Sequence, residues 1–214
     1  MKAKIVLLLV FLLILAGCGS SGAPVGNLSY SGPSKVALHA GDRIPGTDIV
    51  MLEASKDGAK FKIGGQIASK LSGDSVDWRG NVADGVSMDL HYRVAWLGAN
   101  SARLIGTVTL DISGVDPKQA GWDGNAKLKF TLPVTYFVKK GGYIPGTTLS
   151  YKGRAEKGAE IGGVEGYPYR KIADSIVWTG KLRDNVYLKL VSRVGLYDNS
   201  RLQVVGLATI GIQP

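Results

Sequence analysis

DSVDWRG at residues 74–80 and DSIVWTG at residues 174–180 are two versions of one strand-forming segment, 100 residues apart. The tetrapeptide IPGT shows the same spacing, since residues 44–47 recur unchanged as residues 144–147. Two different segments that agree at one shift indicate that the chain repeats itself. The sequence therefore predicts an internal tandem duplication.

The repeat extends over most of the chain, because residues 28–112 align with residues 128–212 at the same shift. Proline and glycine at the centre of IPGT predict a type II turn, whose third residue needs a positive φ. Repeated aspartates are expected to accept hydrogen bonds from turn N–H groups, and repeated tryptophans to pack in the core. Repeated arginines are expected to lay their stems on apolar neighbours or to pair with one of these aspartates. The positions predicted to serve the structure are Pro45, Gly46, Asp74, Trp78, Asp84 and Arg93, with Pro145, Gly146, Asp174, Trp178, Asp184 and Arg193.

Both repeats alternate apolar and polar residues as half-buried strands do. Residues 86–97 place apolar side chains at every second position from Met88 to Trp96, and residues 186–197 follow the same pattern. The sequence predicts an all-β fold of two tandem antiparallel β-sandwich or small-barrel repeats. One larger barrel shared by both halves is the alternative. Further strands are predicted near residues 28–31, 35–39, 48–54, 59–64, 74–79 and 104–112.

The N-terminal segment carries the only cysteine of the chain, Cys18. Lys2 and Lys4 precede the apolar run Ile5–Ala16. The tetrapeptide Leu-Ala-Gly-Cys at residues 15–18 overlaps the end of this run. This run of about 12 residues is too short to span a bilayer, which needs about 20. The segment resembles the lipobox signal peptide of bacterial membrane lipoproteins, although an ordinary secretory signal stays open as the alternative.

The resemblance covers residues 1 to about 20, and it implies that residues 1–17 are removed and that Cys18 is acylated, as with palmitate. It further implies a protein anchored to the cell membrane or outer membrane and facing the extracytoplasmic side. Two or three acyl chains anchor a protein stably, whereas one holds it only marginally. The predicted organisation is a signal peptide at 1–17, a lipidated tether at 18–26, a first repeat at 27–113, a linker at 114–126 and a second repeat at 127–214.

A search for catalytic motifs favours a protein that is not an enzyme. His39 and His91 lie in different predicted strands and do not recur in the second repeat, so no metal site or cofactor is predicted. No serine stands in a nucleophile-elbow motif, and acylation of Cys18 would block thiol catalysis. The repeated aspartates could form an acid–base pair, which leaves an aspartate-dependent glycan hydrolase as a minor alternative.

Charge separates the two repeats more than any motif does. Residues 19–113 contain nine basic and nine acidic residues, whereas residues 114–214 contain fifteen basic and eight acidic ones. The second repeat also holds seven of the nine tyrosines. Cationic and aromatic side chains together suit an anionic partner. The predicted binding residues are Tyr143, Tyr151, Tyr167, Tyr169, Arg170 and Lys171.

These observations predict a lipid-anchored envelope protein whose second repeat contacts an anionic envelope polymer or an acidic protein. The tether enters the first repeat, so the second repeat is expected to be the lobe farther from the membrane. Nucleic acid would fit the charge, but an extracytoplasmic location argues against it. The alternative is a carrier that encloses a lipophilic or small solute within a β-barrel cavity.

Overall fold

The structure is a computed structural model, which describes residues 26–213. Within that range the chain forms fifteen β-strands and no helix, so the all-β prediction is confirmed. The described residues accordingly contain no helix of the length and apolarity needed to cross a bilayer. The predicted signal peptide and Cys18 lie outside the described residues.

The strands fall into two series of seven, with one short additional strand between them. Those of the first series are β1 (Gly26–His39), β2 (Val50–Ala54), β3 (Ala59–Ile63), β4 (Gln66–Lys70), β5 (Ser75–Ala83), β6 (Val86–Gly98) and β7 (Ser101–Val115). The short strand β8 (Lys118–Gln119) lies within the predicted linker. Those of the second series are β9 (Leu128–Lys139), β10 (Ser150–Ala155), β11 (Gly158–Gly162), β12 (Tyr169–Arg170), β13 (Ser175–Arg183), β14 (Val186–Tyr197) and β15 (Arg201–Ile212).

Each half of the molecule consists of one large and one small antiparallel sheet. In the first half, β1 to β7, the first large sheet has the order β1-β7-β6-β5 and the small sheet the order β2-β3-β4. In the second half, β8 to β15, the second large sheet has the order β8-β13-β14-β15-β9 and the small sheet the order β10-β11-β12. None of the sheets within residues 26–213 closes on itself, so both barrel alternatives, two small barrels and one shared barrel, are wrong. The described sheets therefore form no barrel cavity in which a carrier of this kind could enclose a solute.

Strand register also agrees between the halves. Leu28 pairs with Ile112 in the first large sheet, and Leu128 pairs with Ile212 in the second. Repetition of one strand order and one register at a fixed shift is what the predicted duplication requires. The duplication as the origin of the two halves stays a prediction.

Strand β1 differs from the sequence-based expectation of two strands separated at Pro33. Its pairing with β7 continues through Pro33, which lies opposite Thr107. Proline lacks the N–H that a second neighbouring strand would need, but β1 is an edge strand with only one partner in its sheet. An edge position therefore tolerates the proline, and the strand is continuous.

The IPGT turns are fixed by local chemistry. Gly46 and Gly146 have φ angles of 80° and 75°, the left-handed region that a type II turn requires at this position. The hydroxyl of Thr47 donates to the carbonyl of Ile44 at 2.9 Å and accepts from the N–H of Ile49 at 3.0 Å. The second turn repeats this pattern with Thr147 and Leu149. Both turns are thus specified within a few residues of sequence.

Repeated polar residues also hold turns. Asp74 and Asp174 accept hydrogen bonds from the N–H groups of Leu71 and Lys171, at 2.8 and 2.7 Å. Arg93 and Arg193 do not pair with these carboxylates but donate to the carbonyls of Gly73 and Ala173, at 3.0 and 2.9 Å. Each arginine thus links the middle of a strand to the turn that precedes the neighbouring strand.

The repeated tryptophans are buried to different extents. Trp178 is buried, and its Nε1 donates to the Thr148 hydroxyl at 3.0 Å. Trp78 is only half-buried, and its Nε1 donates to Asp48 at 2.7 Å. The prediction of core packing is confirmed for Trp178. Trp78 packs against the edge of the core.

The two halves meet along a seam between β1 and β9, and their buried side chains belong to one apolar cluster. Gly32 of β1 lies against Pro133 and Leu132 of β9, so closely that a Cβ at Gly32 would lie 3.0 Å from the proline ring. Each IPGT glycine also packs against residues of the other half. Gly46 packs beside Leu128 of the second half, and Gly146 packs beside Leu28 and Tyr30 of the first half.

This seam has two consequences for the expected arrangement. The core is shared, so the halves are not independent lobes joined only by a linker. The start of β1 also reaches the seam, since Leu28 packs beside the Gly146 turn of the second half. The tether leads into β1 of the first half, and the expectation that the second half lies farther from the membrane stays a prediction.

Candidate functional site

The structure brings four of the predicted binding residues together in and beside β12. The rings of Tyr167 and Tyr169 pack edge to face with centroids 5.4 Å apart. The guanidinium of Arg170 donates to the backbone carbonyls of Tyr167 and Tyr169, at 2.6 and 3.0 Å. Tyr167 is 60% exposed, and Lys171 is exposed beside it. Arg170 thus stabilises the loop and is partly withdrawn from solvent, while Tyr167 and Lys171 face outward.

Two other predicted binding residues lie elsewhere. Tyr151 is completely buried, and its hydroxyl donates to the carbonyl of Asp198. Burial is also the main reason that the pKa of Tyr151 lies above its ordinary value. The prediction that Tyr151 belongs to a binding surface is therefore wrong. Tyr143 is 37% exposed and lies opposite Ser150 in an isolated bridge next to the second IPGT turn.

A cleft of about 510 Å³ opens beside Arg170. Its walls come from β8 and the segment after it, from the loop at residues 163–165, and from β13 at residues 177–179. Arg170 and Glu165 give it one positive and one negative side chain, and Val177 extends from it onto the open sheet. The cleft therefore connects the tyrosine loop with the outward side of the second large sheet.

That outward side, formed by β9, β13, β14 and β15, is called the second sheet face. Its centre is a row of apolar residues that crosses all four strands: Val177 pairs with Val191, Val191 with Leu207, and Leu207 with Pro133. The side chains of Val177, Val191 and Leu207 are 57%, 46% and 49% exposed. Exposed apolar residues are ordinary when scattered, whereas a contiguous patch indicates a contact surface.

The four strands of this face contribute charge of one sign only. Strands β9, β13, β14 and β15 contain no aspartate or glutamate at any position. Their basic residues are Lys129, Lys139, Lys181, Arg183, Lys189, Arg193 and Arg201. Carboxylates outside these strands pair with Lys181, Arg183 and Arg201, and the other four basic residues have no ion pair among residues 26–213. Such a basic and apolar surface attracts anions over a distance and offers an apolar contact at close range.

The same row in the first half is polar. There Asp77 pairs with His91, His91 with Thr107, and Thr107 with Pro33. His91 lies 3.2 Å from Asp77 and also 3.2 Å from Asp89, so its neighbours on this face are acidic. The two halves thus have the same fold, but the outward residues of their large sheets differ in polarity.

Most of the basic residues of the second half are not neutralised by internal ion pairs. Four of its fifteen basic residues form ion pairs, namely Lys118, Lys181, Arg183 and Arg201. The other eleven have no carboxylate within 4.0 Å among residues 26–213. A positive charge that is not neutralised internally remains available to a partner.

The repeated aspartates and the histidine have identifiable structural contacts. Asp84 binds Arg183 at 2.6 Å across the seam, and Asp184 binds Lys181 at 3.0 Å. The hydrogen bond and charge of Lys181 lower the pKa of Asp184, which opposes a role as a general acid. In the part of the chain that the structure describes, no group of three or more His, Cys, Asp or Glu side chains is arranged to hold a metal ion.

Sequence reasoning missed the apolar row, although a signal for it existed. At the shift of 100 residues, Asp77 becomes Val177, His91 becomes Val191 and Thr107 becomes Leu207. All three changes replace a polar residue by an apolar one at an outward strand position. The differences between repeats, taken position by position, would have located the face.

Comparison with known proteins provides no further guide to the site. No protein-family model, no curated protein and no solved structure matches this chain. The function is therefore argued from the chemistry of its own residues.

Proposed function

We propose that this chain is a lipid-anchored, non-enzymatic protein of the cell envelope that binds an anionic partner through its second half. The lipid is attached at Cys18 and holds the protein on the extracytoplasmic side of the cell membrane or outer membrane. The resemblance of residues 1 to about 20 to lipoprotein signal peptides supports this part of the proposal. The partner is an anionic envelope component, such as a phosphate-rich polymer or an anionic lipid surface.

The observation that carries the proposal is the second sheet face, which combines basic residues with an exposed apolar row and has no carboxylate in its four strands. Each lysine near an anionic surface contributes about 1 kcal/mol of attraction, which salt screens. The row of Val177, Val191 and Leu207 adds contact area after the charges have brought the surfaces together. Tyr167 and Lys171 extend the surface beyond the cleft.

A binding role also fits the pattern of differences between the halves. Residues that hold turns, such as Asp74 and Asp174, keep the same contacts in both halves. The outward residues differ, as between Asp77 and Val177. One half has thus retained a mixed, charged surface while the other presents a basic and apolar one, which is a change in partner preference.

The test uses the whole chain from residue 18 with the change Cys18→Ser, because the shared core argues against expressing the halves separately. Binding to phosphatidylglycerol vesicles, to phosphatidylcholine vesicles and to a soluble polyphosphate is measured over a salt series. We expect binding to the two anionic probes and none to phosphatidylcholine. Binding should weaken as salt rises.

Matched variants locate the surface. The double change Lys139→Gln and Lys189→Gln on the second sheet face should weaken vesicle binding about 30-fold, at about 1 kcal/mol for each lysine. The double change Lys56→Gln and Lys62→Gln removes the same charge from β3 and the turn before it in the first half, and it should leave most of the affinity. Equal losses of affinity in both variants would mean that net charge alone determines binding. If the protein bound neither phosphatidylglycerol vesicles nor polyphosphate, the proposal would be refuted.

A further inference from the structure

A groove of about 1180 Å³ crosses the outward side of the first large sheet. Its floor is formed by β1, β7 and β6, one end by the turn Ser72–Gly73, and one wall by the start of β9 at residues 129–132. The wall belongs to the second half, so the groove exists only because the halves meet at the seam. Its volume lies above the usual 300–1,000 Å³ of small-molecule sites.

The middle of the groove is apolar. Ile105 of β7 lies on the floor and is 53% exposed, and Pro33 of β1 lies beside it. Phe130 and Leu132 of β9 contribute the wall, although Leu132 is itself buried in the core. An exposed isoleucine next to an aromatic wall provides an apolar surface that a hydrocarbon chain can cover.

Basic side chains flank this apolar strip. Arg93 pairs with Ile105, and Ile105 pairs with Lys35, so that a cation stands on each side of the isoleucine in one cross-strand row. Lys129 adds a third cation from the wall. Among the described residues, neither Lys35 nor Lys129 has a carboxylate within ion-pair distance, whereas the carboxylates of Asp77 and Asp89 lie against His91 at the rim.

We infer that this groove is a binding site for a single-chain anionic amphiphile of the fatty-acid type. The hydrocarbon chain covers Ile105 and packs against Phe130, and the carboxylate pairs with Lys35 and Lys129. Arg93 is held by its hydrogen bond to the carbonyl of Gly73 and contributes charge from the opposite side. The inference goes beyond the proposed function, because it concerns a groove on the first large sheet and a small ligand, and Lys129 is the one residue named for both surfaces.

The ligand class follows from the combination of groups. A polymer with many phosphates would bind cations but gain nothing from Ile105 and Phe130, and a neutral lipid would leave the lysines without a partner. A fatty acid matches both the apolar strip and the cations. Its hydrocarbon chain covers the apolar residues, and its one carboxylate can accept hydrogen bonds from two ammonium groups. Its flexible chain also suits an open groove better than a rigid planar ligand does.

The experiment is calorimetric titration of the whole chain from residue 18, with Cys18→Ser, by dodecanoate below its critical micelle concentration. Dodecyl maltoside has the same chain length and no charge, so it serves as the ligand control. We expect saturable binding of about one dodecanoate per chain, with dodecyl maltoside at least tenfold weaker. The double variant Lys35→Gln and Lys129→Gln should weaken dodecanoate binding about tenfold, as expected for two partly exposed ion pairs.

A second pair of variants tests the apolar part. Ile105→Thr keeps a β-branched strand residue but removes apolar surface, and it should weaken dodecanoate binding about fivefold. Val205→Thr is the matched control, because Val205 occupies the same position on the second sheet face and should have no effect on dodecanoate. Equal affinity for dodecanoate and dodecyl maltoside, absence of saturable binding, or equal effects of the two threonine variants would each overturn the inference.

The result is independent of the vesicle experiment above. Weaker dodecanoate binding by the double variant Lys35→Gln and Lys129→Gln, together with unchanged vesicle binding by Lys35→Gln alone, would separate the groove from the second sheet face. Conversely, if the protein did not bind anionic vesicles, the expectation of dodecanoate binding in the groove would be unaffected. The two proposals can therefore fail separately.

Discussion

Replacement of Gly146 by alanine tests whether the two halves share one core. Gly146 lies in the second IPGT turn with a φ of 75°, and a Cβ there would lie 2.6 Å from the Tyr30 hydroxyl oxygen and 2.9 Å from Leu188 Cδ2. Tyr30 belongs to the other half and is buried in the seam, where burial raises its pKa well above the ordinary value. The substitution thus combines backbone strain with a clash across the seam.

Gly141 provides the control, because its φ is 82° and a Cβ there would have no atom within 4 Å. Gly141→Ala should cost only the strain of a left-handed alanine, about 1–2 kcal/mol. Gly146→Ala should cost this amount and in addition about 1–3 kcal/mol for overpacking. We therefore expect a loss of about 3–4 kcal/mol in the free energy of unfolding for Gly146→Ala.

The assay is urea unfolding, followed by tryptophan fluorescence and circular dichroism. A double-mutant cycle then adds Tyr30→Phe, which removes the atom nearest to the new methyl group. The combined variant should recover about 1 kcal/mol beyond the sum of the single changes. The reasoning is refuted if Gly146→Ala costs no more than Gly141→Ala, or if the two halves unfold in separate transitions.

Two further outcomes concern the anchor and the pH dependence of stability. Cys18→Ser should abolish incorporation of labelled palmitate in cells, while Ser21→Ala should not, and continued labelling of the serine variant would contradict the lipid anchor. Hydrogen bonds from Ser200 and from the backbone of Arg201 lower the pKa of Asp198. A folded pKa below the unfolded value stabilises the protein above about pH 4, and this contribution is lost as the pH falls through the folded pKa. Unfolding measured between pH 3 and pH 7 should show Asp198→Asn less stable than the parent chain at pH 7, with the difference becoming smaller as the pH falls. A difference that does not change with pH would contradict this account.

Local features of the fold could be predicted from the sequence. Proline fixes its own φ and glycine accepts a positive φ, so IPGT specifies its turn wherever it occurs in the chain. Alternation with a period of two specifies β6 and β14, because successive side chains of a strand point to opposite sides. The N-terminal pattern that resembles a lipobox is likewise local, and the lipid anchor that it predicts depends on no part of the fold.

Tyr151 shows where local patterns fail. It precedes a bulge in β10, between Tyr151 and Gly153. A bulge interrupts the alternation of side chains, so the pattern around Tyr151 does not predict which side of the sheet its side chain occupies. Its partner, the carbonyl of Asp198, is 47 residues away in the chain. Whether such a tyrosine is buried depends on packing between distant strands, and composition alone made it look like a surface residue.

The sequence by itself determined that this chain is all-β, where its repeats and turns fall, and that its second half carries the positive charge. Only the tertiary structure decided that β1 and β9 join the halves in one core, that Val177, Val191 and Leu207 form one exposed row, and that Ile105 and Phe130 face a common groove. The physical reason is the range of the interactions. Turn dihedrals and strand periodicity arise from neighbouring residues, whereas register, seam and groove arise from contacts between residues far apart in the chain.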